Sequence, residues 1–243
     1  MELEEYRKMA AVEDAMWYYR ALHEHVRREL RAALGDRRSQ VLDAGCGTGG
    51  LIRRMSVQNP AWQWTGVDLS PVACELARTR TTAEIREASI TALPFPDASF
   101  DAVVSADVIY HVDDDAAALK EFARVLRPGG CVVLNVPAHP WLWSYHDVAT
   151  HSKRRYVRSD VRAKLTAAGF ANTRATHWNT LLLPLVILRR KIFPAPGSRS
   201  DVHLYPTPVE LGFGAMMALE RGWLSTGASF PIGSSILATA RKR

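Results

Sequence analysis

The chain has 243 residues, 47% of them hydrophobic, which suffices for one domain with a sizeable core. Its acidic, amphipathic N-terminus does not read as a secretory signal, and Cys46, Cys74 and Cys131 lack metal-type spacing, so reduced cysteines in a cytoplasmic protein are expected. The net charge of +6 is uneven: residues 1–40 are neutral overall, 41–150 carry −5 and 151–243 carry +11. That basic C-terminal part favours an anionic partner (a phosphorylated or carboxylated small molecule, a membrane surface or nucleic acid) or is a solvated face.

Residues 3–34 read as one or two helices ahead of a sheet, with an aromatic cluster at Met16-Trp17-Tyr18-Tyr19-Arg20. Val41-Leu42-Asp43 is a strand running into the glycine-dense turn Gly45-Cys46-Gly47-Thr48-Gly49-Gly50. Glycine lets such a turn take positive φ and brings a ligand against bare backbone, as in the nucleotide-binding strand–turn–helix of open α/β sheets. The G-x-x-x-x-G-K-[ST] pattern of a P-loop is absent. Trp64–Asp68 is the second strand, ending in an acid about twenty residues after the turn, where a ribose-binding carboxylate belongs. Ser70-Pro71 opens the next helix.

Leu93–Asp101, LPFPDASFD, leads into a fourth strand that ends at Asp107, and His111 follows four residues on. Leu119, Phe122, Ala123 and Leu126 share a helix face, Arg127-Pro128-Gly129-Gly130 closes that helix, and Cys131–Val136 is a buried fifth strand. The stretch 137–156, PAHPWLWSYHDVATHSKRRY, lies where open α/β sheets bind ligands. His146, His151 and Tyr156 are its substrate-side candidates, a histidine being a suitable proton acceptor near neutral pH. His139, His146, Asp147 and His151 offer metal-type donors in no compact spacing, so no metal is expected. Ser159-Asp160 caps a helix with Val161, Leu165 and Ala168 on one face, Phe170–Trp178 is the sixth strand, and Ser234–Ala240 the seventh. Between them, Leu181–Leu188 is apolar and precedes Arg189-Arg190-Lys191. It is far shorter than the roughly twenty residues that span a bilayer. It reads as a lid over a greasy substrate, a membrane-interface segment or a dimer contact. Pro194–Pro208 reads as a loop.

The order D-x-G-x-G-x-G in VLDAGCGTGG, the LPFPDASFD segment and RVLRPGG before an apolar strand together resemble the class I S-adenosylmethionine-dependent methyltransferases of the type 11 small-molecule group, densely over residues 41–136. The resemblance implies a Rossmann-like seven-stranded sheet of order 3-2-1-4-5-7-6 with only the seventh strand antiparallel. It implies a single domain: an N-terminal helical cap over 1–36, a cofactor-binding core over 37–178, a substrate lid over 179–232 and a last strand over 233–243. It implies S-adenosylmethionine held by Asp43, Gly45, Cys46, Gly47, Gly49, Asp68, Leu69, Ser89, Ile90 and Asp107. Ser89 stands where relatives commonly carry an acid for the adenine amino group. Residues 13–20 are similar to an E-x-x-H-W-W-x-x-R segment, with Met16 in place of its histidine and Trp17-Tyr18 in place of its tryptophans, so Tyr18 is expected in a lid over the sulfonium. In 137–156 the family pattern falls on Trp141/Trp143, His146-Asp147, His151, Arg154-Arg155 and Tyr156. His111, in a D-x-x-x-H segment, joins the catalytic candidates.

The implied reaction is methyl transfer to a small, anionic or hydrophobic metabolite, with a histidine base where the nucleophile must lose a proton. Two alternatives stay open: a non-methylating binder of the same cofactor (a cyclase, a rearrangement enzyme or a regulator) and a nucleic-acid methyltransferase. ADVIYH at the end of the fourth strand is not the NPPY type that holds a flipped adenine, so no nucleic-acid partner is expected. Peripheral membrane contact and a monomer or homodimer are both compatible with the sequence.

Overall fold

The computed structural model describes residues 3–193 and 200–243. Two helices, α1 (Leu3–Val12) and α2 (Trp17–Leu34), precede the sheet. Then β1 (Ser39–Ala44), α3 (Gly50–Gln58), β2 (Trp62–Asp68), α4 (Pro71–Arg80), β3 (Glu84–Glu87), β4 (Phe100–Ala106), α5 (Asp115–Val125) and β5 (Leu126–Pro137) alternate as an α/β unit. After α6 (Tyr145–Ala149), α7 (Arg158–Ala167) and β6 (Phe170–Trp178) come α8 (Leu183–Ile187), a π turn (Leu188–Ile192), α9 (Thr207–Ser225) and β7 (Ser235–Lys242).

The seven strands run in the order β3-β2-β1-β4-β5-β7-β6. All pairs are parallel except those of β7, which is antiparallel to β5 and β6. Central strands buried on both faces need consecutive apolar residues pointing to opposite sides. Val41 and Leu42, Val103 and Val104, and Val132 and Val133 do this. Leu42, Val103 and Val132 pack with Leu119, Phe122 and Leu165 of α5 and α7 on one face. Val41, Val104 and Val133 pack with Val26, Leu30, Ile52 and Met55 of α2 and α3 on the other. Each such side chain contributes about 1.5–3 kcal/mol when fully buried, so both faces hold the sheet between its helices.

Three local expectations change. Leu126 is not on the helix face: α5 stops at Val125, and Leu126 already pairs with Phe100 in the sheet. The RPGG segment is a register irregularity between the pairs Phe100–Leu126 and Ala102–Cys131, with Gly129 at φ +76°, because Pro128 cannot donate to the ladder. α7 starts at Arg158 after Val157, so Ser159 and Asp160 lie inside its first turn, where Asp160 still favours the helix dipole. In the stretch expected to be a loop, residues 194–199 lie outside the described residues, and Thr207 and Pro208 already open α9.

β1 has neighbours whose connections leave in opposite directions, β2 and β4, so the strand order reverses there. Such a reversal opens a crevice beyond the carboxyl ends of the strands. No helix among the described residues is long and apolar enough to cross a membrane.

Candidate functional site

A cavity of about 520 Å³ fills that crevice. Its floor is the turn after β1, where Gly45 and Gly47 have φ +92° and +52°, a region that side chains rarely adopt. A Cβ on Gly45 would lie 2.3 Å from Val108 Cγ2, and one on Gly47 2.8 Å from Met9 Cε. The loop after β4 and the first helix therefore press on bare backbone. Gly49 differs: it is the left-handed residue before α3, a Cβ there would meet Ala77 of α4 at 3.1 Å, and it does not line the cavity. Its glycine is required by helix packing.

Three strand-end acids ring the floor. Asp68 Oδ2 accepts from the Gly47 amide and Oδ1 from the Ser70 amide, both at 2.9 Å. Each oxygen keeps a further lone pair for a ligand hydroxyl. Asp43, only 2% exposed, accepts no hydrogen bond from the described residues. Burial, with the Asp68 and Glu13 charges nearby, pushes its carboxyl up to about 8. Such an acid is stabilised by a cation brought to it. Asp107, at φ +60°, accepts from Tyr18 Oη at 2.9 Å and Asn135 Nδ2 at 2.8 Å, and burial pushes it up to about 6. Asn135 in turn accepts from Trp178 Nε1 at 2.7 Å, and Tyr18 stacks on Trp178 with centroids 5.2 Å apart. The chain Trp178–Asn135–Asp107–Tyr18 thus ties β6, β5 and the end of β4 to α2. Leu69, Ser89 and Ile90 also line the cavity. The Ser89 hydroxyl is 2.7 Å from Thr91 Oγ1 and accepts from the Thr91 amide.

Tyr6, Met9 and Glu13 of the α1 segment follow one helix face over the turn. The buried Glu13 carboxylate accepts from the Thr48 hydroxyl and pairs with Arg80, clamping the segment to the start of α3 and the end of α4. A Cβ on Gly50 would meet that carboxylate at 2.4 Å.

The loop after β5 forms the opposite wall. Arg155 and Asp147, both side chains 2% exposed, make a two-point pair at 2.7 and 3.0 Å, and Arg155 also donates to the Ala138 carbonyl at 3.0 Å. Asp147 further closes the capping box of α6 through Ser144. It is committed to the loop, and among the described residues no three donors converge as a metal requires. His146 lines the cavity and its Nδ1 accepts from the Asp201 amide at 3.1 Å. The neutral ring therefore carries its proton on Nε2. Burial and the Arg190 charge hold it down at about 4. His111 has the complementary tautomer: Nδ1 donates to the His151 carbonyl at 3.3 Å, leaving Nε2 as the accepting nitrogen, and burial holds it at about 4. His151 lines the cavity at φ +54°. Tyr156 does not: it packs in the core below, 3% exposed, and donates to Asp115 Oδ2 at 2.8 Å. An aromatic ring with a polar tip suits a buried hydrogen bond as well as a ligand, so residue type alone could not separate the two.

Leu182, Leu185 and Val186 close the cavity from the insertion, joined by Arg189 and Arg190. Asp201 gathers Tyr145 Oη at 2.7 Å, Arg190 Nε at 2.9 Å and Arg189 Nε at 3.3 Å, pinning the insertion to the His146 loop. The sequence reading missed Tyr6, Met9, Asn135 and Asp201 as cavity or support residues. The spacing of Tyr6, Met9 and Glu13 was a usable signal; Asp201 gave none, since its partners lie 11 to 56 residues away.

Residues 42–134 match a family model described as a methyltransferase domain. A demethylmenaquinone methyltransferase of Chlorobaculum parvum is 37% identical over 107 residues, covering 44% of each chain. A malonyl-[acyl-carrier protein] O-methyltransferase of Serratia marcescens is 28% identical over 200 residues, covering 79% of this chain and 76% of that one. The chain spans about half the length of the first curated relatives it matches, 44% to 54%. A SAM-dependent methyltransferase structure from Thermotoga maritima superposes with a TM-score of 0.66 at 18% identity, covering 99% of this chain and 95% of that one, which shows the fold.

Proposed function

We propose that the chain is a class I S-adenosylmethionine-dependent methyltransferase, a reading supported by the methyltransferase-domain match over residues 42–134 and by its methyltransferase relatives, and that it transfers the methyl group of S-adenosylmethionine to a small apolar acceptor bearing an anionic group. The observation that carries this reading is one continuous cavity. It runs from the glycine turn and Asp68 to Leu185, Val186, Arg189 and Arg190 of the insertion.

The residues fit the cofactor. The bare backbone at Gly45 and Gly47 admits close approach, and Asp68 has lone pairs for two ribose hydroxyls. Asp43 and Asp107 are acids raised by burial that a cationic ligand relieves. Cys46, Leu69, Ser89 and Ile90 lie where the nucleoside would rest. The bound cofactor supplies a methyl group already activated as a sulfonium. The protein's task is alignment and exclusion of water, and alignment alone lowers such barriers by about 7–11 kcal/mol. The α1 segment, Tyr18 and the insertion wall line the cavity and would exclude water once the ligands are bound.

Proton transfer is the weaker part of the machinery. His111 presents an accepting Nε2 but holds a proton poorly, and His146 presents a donor. This pairing suits an acceptor whose nucleophile is already ionised, such as a carboxylate or an acidic phenol, which has no proton to lose and passes its charge to the sulfonium as the methyl moves, with Arg189 and Arg190 drawing the anion in and His146 orienting it. The named relatives methylate a quinone precursor and an acyl-carrier malonyl group, one apolar and one anionic by name.

The test is calorimetric titration with S-adenosylmethionine and S-adenosylhomocysteine, for wild type and Asp68→Ala, followed by transfer of labelled methyl to a panel of apolar carboxylates and phenols. Micromolar binding lost in Asp68→Ala, with label appearing in a panel member, supports the proposal. Wild type that binds neither ligand, alone or with the panel, overturns it. Binding without label in any acceptor favours the non-methylating alternative.

A further inference from the structure

A second groove, of about 470 Å³, lies between α2, α3 and α9. It is lined by Arg20 of α2, Arg54 of α3 and Arg221 of α9, with Glu24 and Glu210, and among the described residues none of the three guanidinium groups makes a hydrogen bond or ion pair. The acids nearby are already engaged. Glu24 binds Arg27 and Gln58, and Glu210 accepts from the Trp17 and Tyr205 amides at 2.7 and 2.9 Å. At Arg221 the Glu24 carboxylate is opposed by the positive charges of Arg27, Arg20 and Arg28.

The groove shares a rim with an unusual helix face. Successive steps of four along α9 place Leu211, Ala215, Leu219 and Trp223 on one outward arc, with Met216 beside them. Leu211 is 63% exposed, Leu219 70%, Trp223 54% and Met216 41%. The helix carries three charged residues, Glu210, Glu220 and Arg221. Glu220 is buried and accepts from the Thr180 and Leu181 amides, and the other two line the groove. The exposed arc is therefore uncharged over its whole length. Leu211 and Ala215 belong to both the arc and the groove, so cations and apolar surface are contiguous.

We propose that this face docks the protein on an anionic bilayer surface, the apolar arc entering the headgroup boundary and the three free guanidinium groups taking lipid phosphates. An apolar helix face flanked by cations is the pattern of interfacial helices, and guanidinium groups hold phosphate through paired charge-assisted bonds. A second copy of the chain fits less well, because an isologous contact would bring two grooves of net positive charge together. The placement also serves the central cavity: Phe213, on the inner side of α9, lines it. A docked α9 therefore stands between lipid and the apolar wall of the site. The contact does not depend on the reaction assigned above.

The experiment is co-sedimentation of the full chain with vesicles of phosphatidylcholine alone and of phosphatidylcholine mixed with phosphatidylglycerol. Two variants accompany it, Leu219→Glu/Trp223→Glu and Arg20→Ala/Arg54→Ala/Arg221→Ala. Circular dichroism verifies their folding, and sedimentation velocity gives the oligomeric state of each. Wild type is expected to bind the anionic vesicles and not the neutral ones, and to release on raising salt. The arginine variant is expected to partition roughly a hundredfold more weakly, from about a fivefold loss per cation, and the glutamate variant to lose binding. Binding indifferent to lipid charge, or unaffected by either variant, overturns the proposal. A wild-type dimer that the glutamate variant dissolves overturns it in favour of a second copy.

Discussion

Replacing Arg155 with methionine tests how the wall of the cavity is held. The guanidinium makes three bonds: Nε to Asp147 Oδ1 at 2.7 Å, one terminal nitrogen to Oδ2 at 3.0 Å, and the other to the Ala138 carbonyl at 3.0 Å. Methionine fills much of the volume but leaves Asp147 buried with only the Ser144 amide and hydroxyl as partners. Breaking one side of a buried pair costs about 3–5 kcal/mol, because the remaining charge is uncompensated. Total stabilities run at about 5–15 kcal/mol, so the loss is a large share. In urea, the unfolding midpoint is expected to fall by roughly 1 M or more without a change in slope. Arg155→Lys, which keeps the charge and loses the planar fork, is expected near half that loss. His146, Thr150 and His151 ride on the same loop and line the cavity, so acceptor KM is expected to rise more than cofactor Kd. An Arg155→Met protein within about 1 kcal/mol of wild type would refute the reasoning, since it would mean that desolvation cancels the pair and the loop is held by other contacts.

Gly45→Ala forces a side chain to φ +92° and into Val108, a loss of about 2–4 kcal/mol by combined strain and overpacking, measured as the same urea midpoint. His25 is fully buried with neither ring nitrogen bonded, and burial holds it down at about 3. A lowered histidine contributes stability that is present above about pH 6.5 and lost as pH falls toward its folded value, so the melting-temperature advantage of His25→Leu over wild type is expected to grow from pH 7 to pH 4; a constant difference would count against it. Asp43 carries the opposite sign: its raised carboxyl contributes stability that is present below about pH 4 and lost as pH rises through about 8, so Asp43→Asn is expected to raise the melting temperature of the unliganded protein at pH 8.5 and not at pH 4. The same carboxyl is expected to release a proton when S-adenosylmethionine binds near pH 7, seen as a buffer-dependent heat in calorimetry that Asp43→Asn abolishes.

The sheet and its cavity-facing edge were legible because their signals are local. Val41-Leu42-Asp43 before a glycine turn, and Asp68 and Asp107 at strand ends, each need only a few neighbouring residues to be read. The order of the strands came from family resemblance, since periodicity says nothing of which strand lies beside which. α9 escaped for a physical reason: Gly212, Gly214 and Gly222 lower its propensity, and apolar residues on both sides erase the amphipathic period. The inner residues Met217 and Leu224 belong to the core while Leu219 and Trp223 face outward, and the sequence pattern does not distinguish them.

The histidines show where residue type stops being informative. His111 and His146 are the same side chain in similar surroundings, both lowered to about 4, yet one offers a lone pair and the other a proton. What separates them is a single backbone group each, the His151 carbonyl for His111 and the Asp201 amide for His146. Asp201 reaches that position because Tyr145, Arg189 and Arg190 converge on its carboxylate. The protonation pattern at the acceptor end of the cavity is thus set by an acid 55 residues from the histidine it fixes. Asp201→Ala should therefore do more than loosen the insertion. The substitution also removes the negative charge that opposes Arg190 beside the ring, so the His146 imidazole is expected to protonate at a still lower pH than in wild type; a ring that titrates higher in Asp201→Ala, followed by NMR, would refute the assignment.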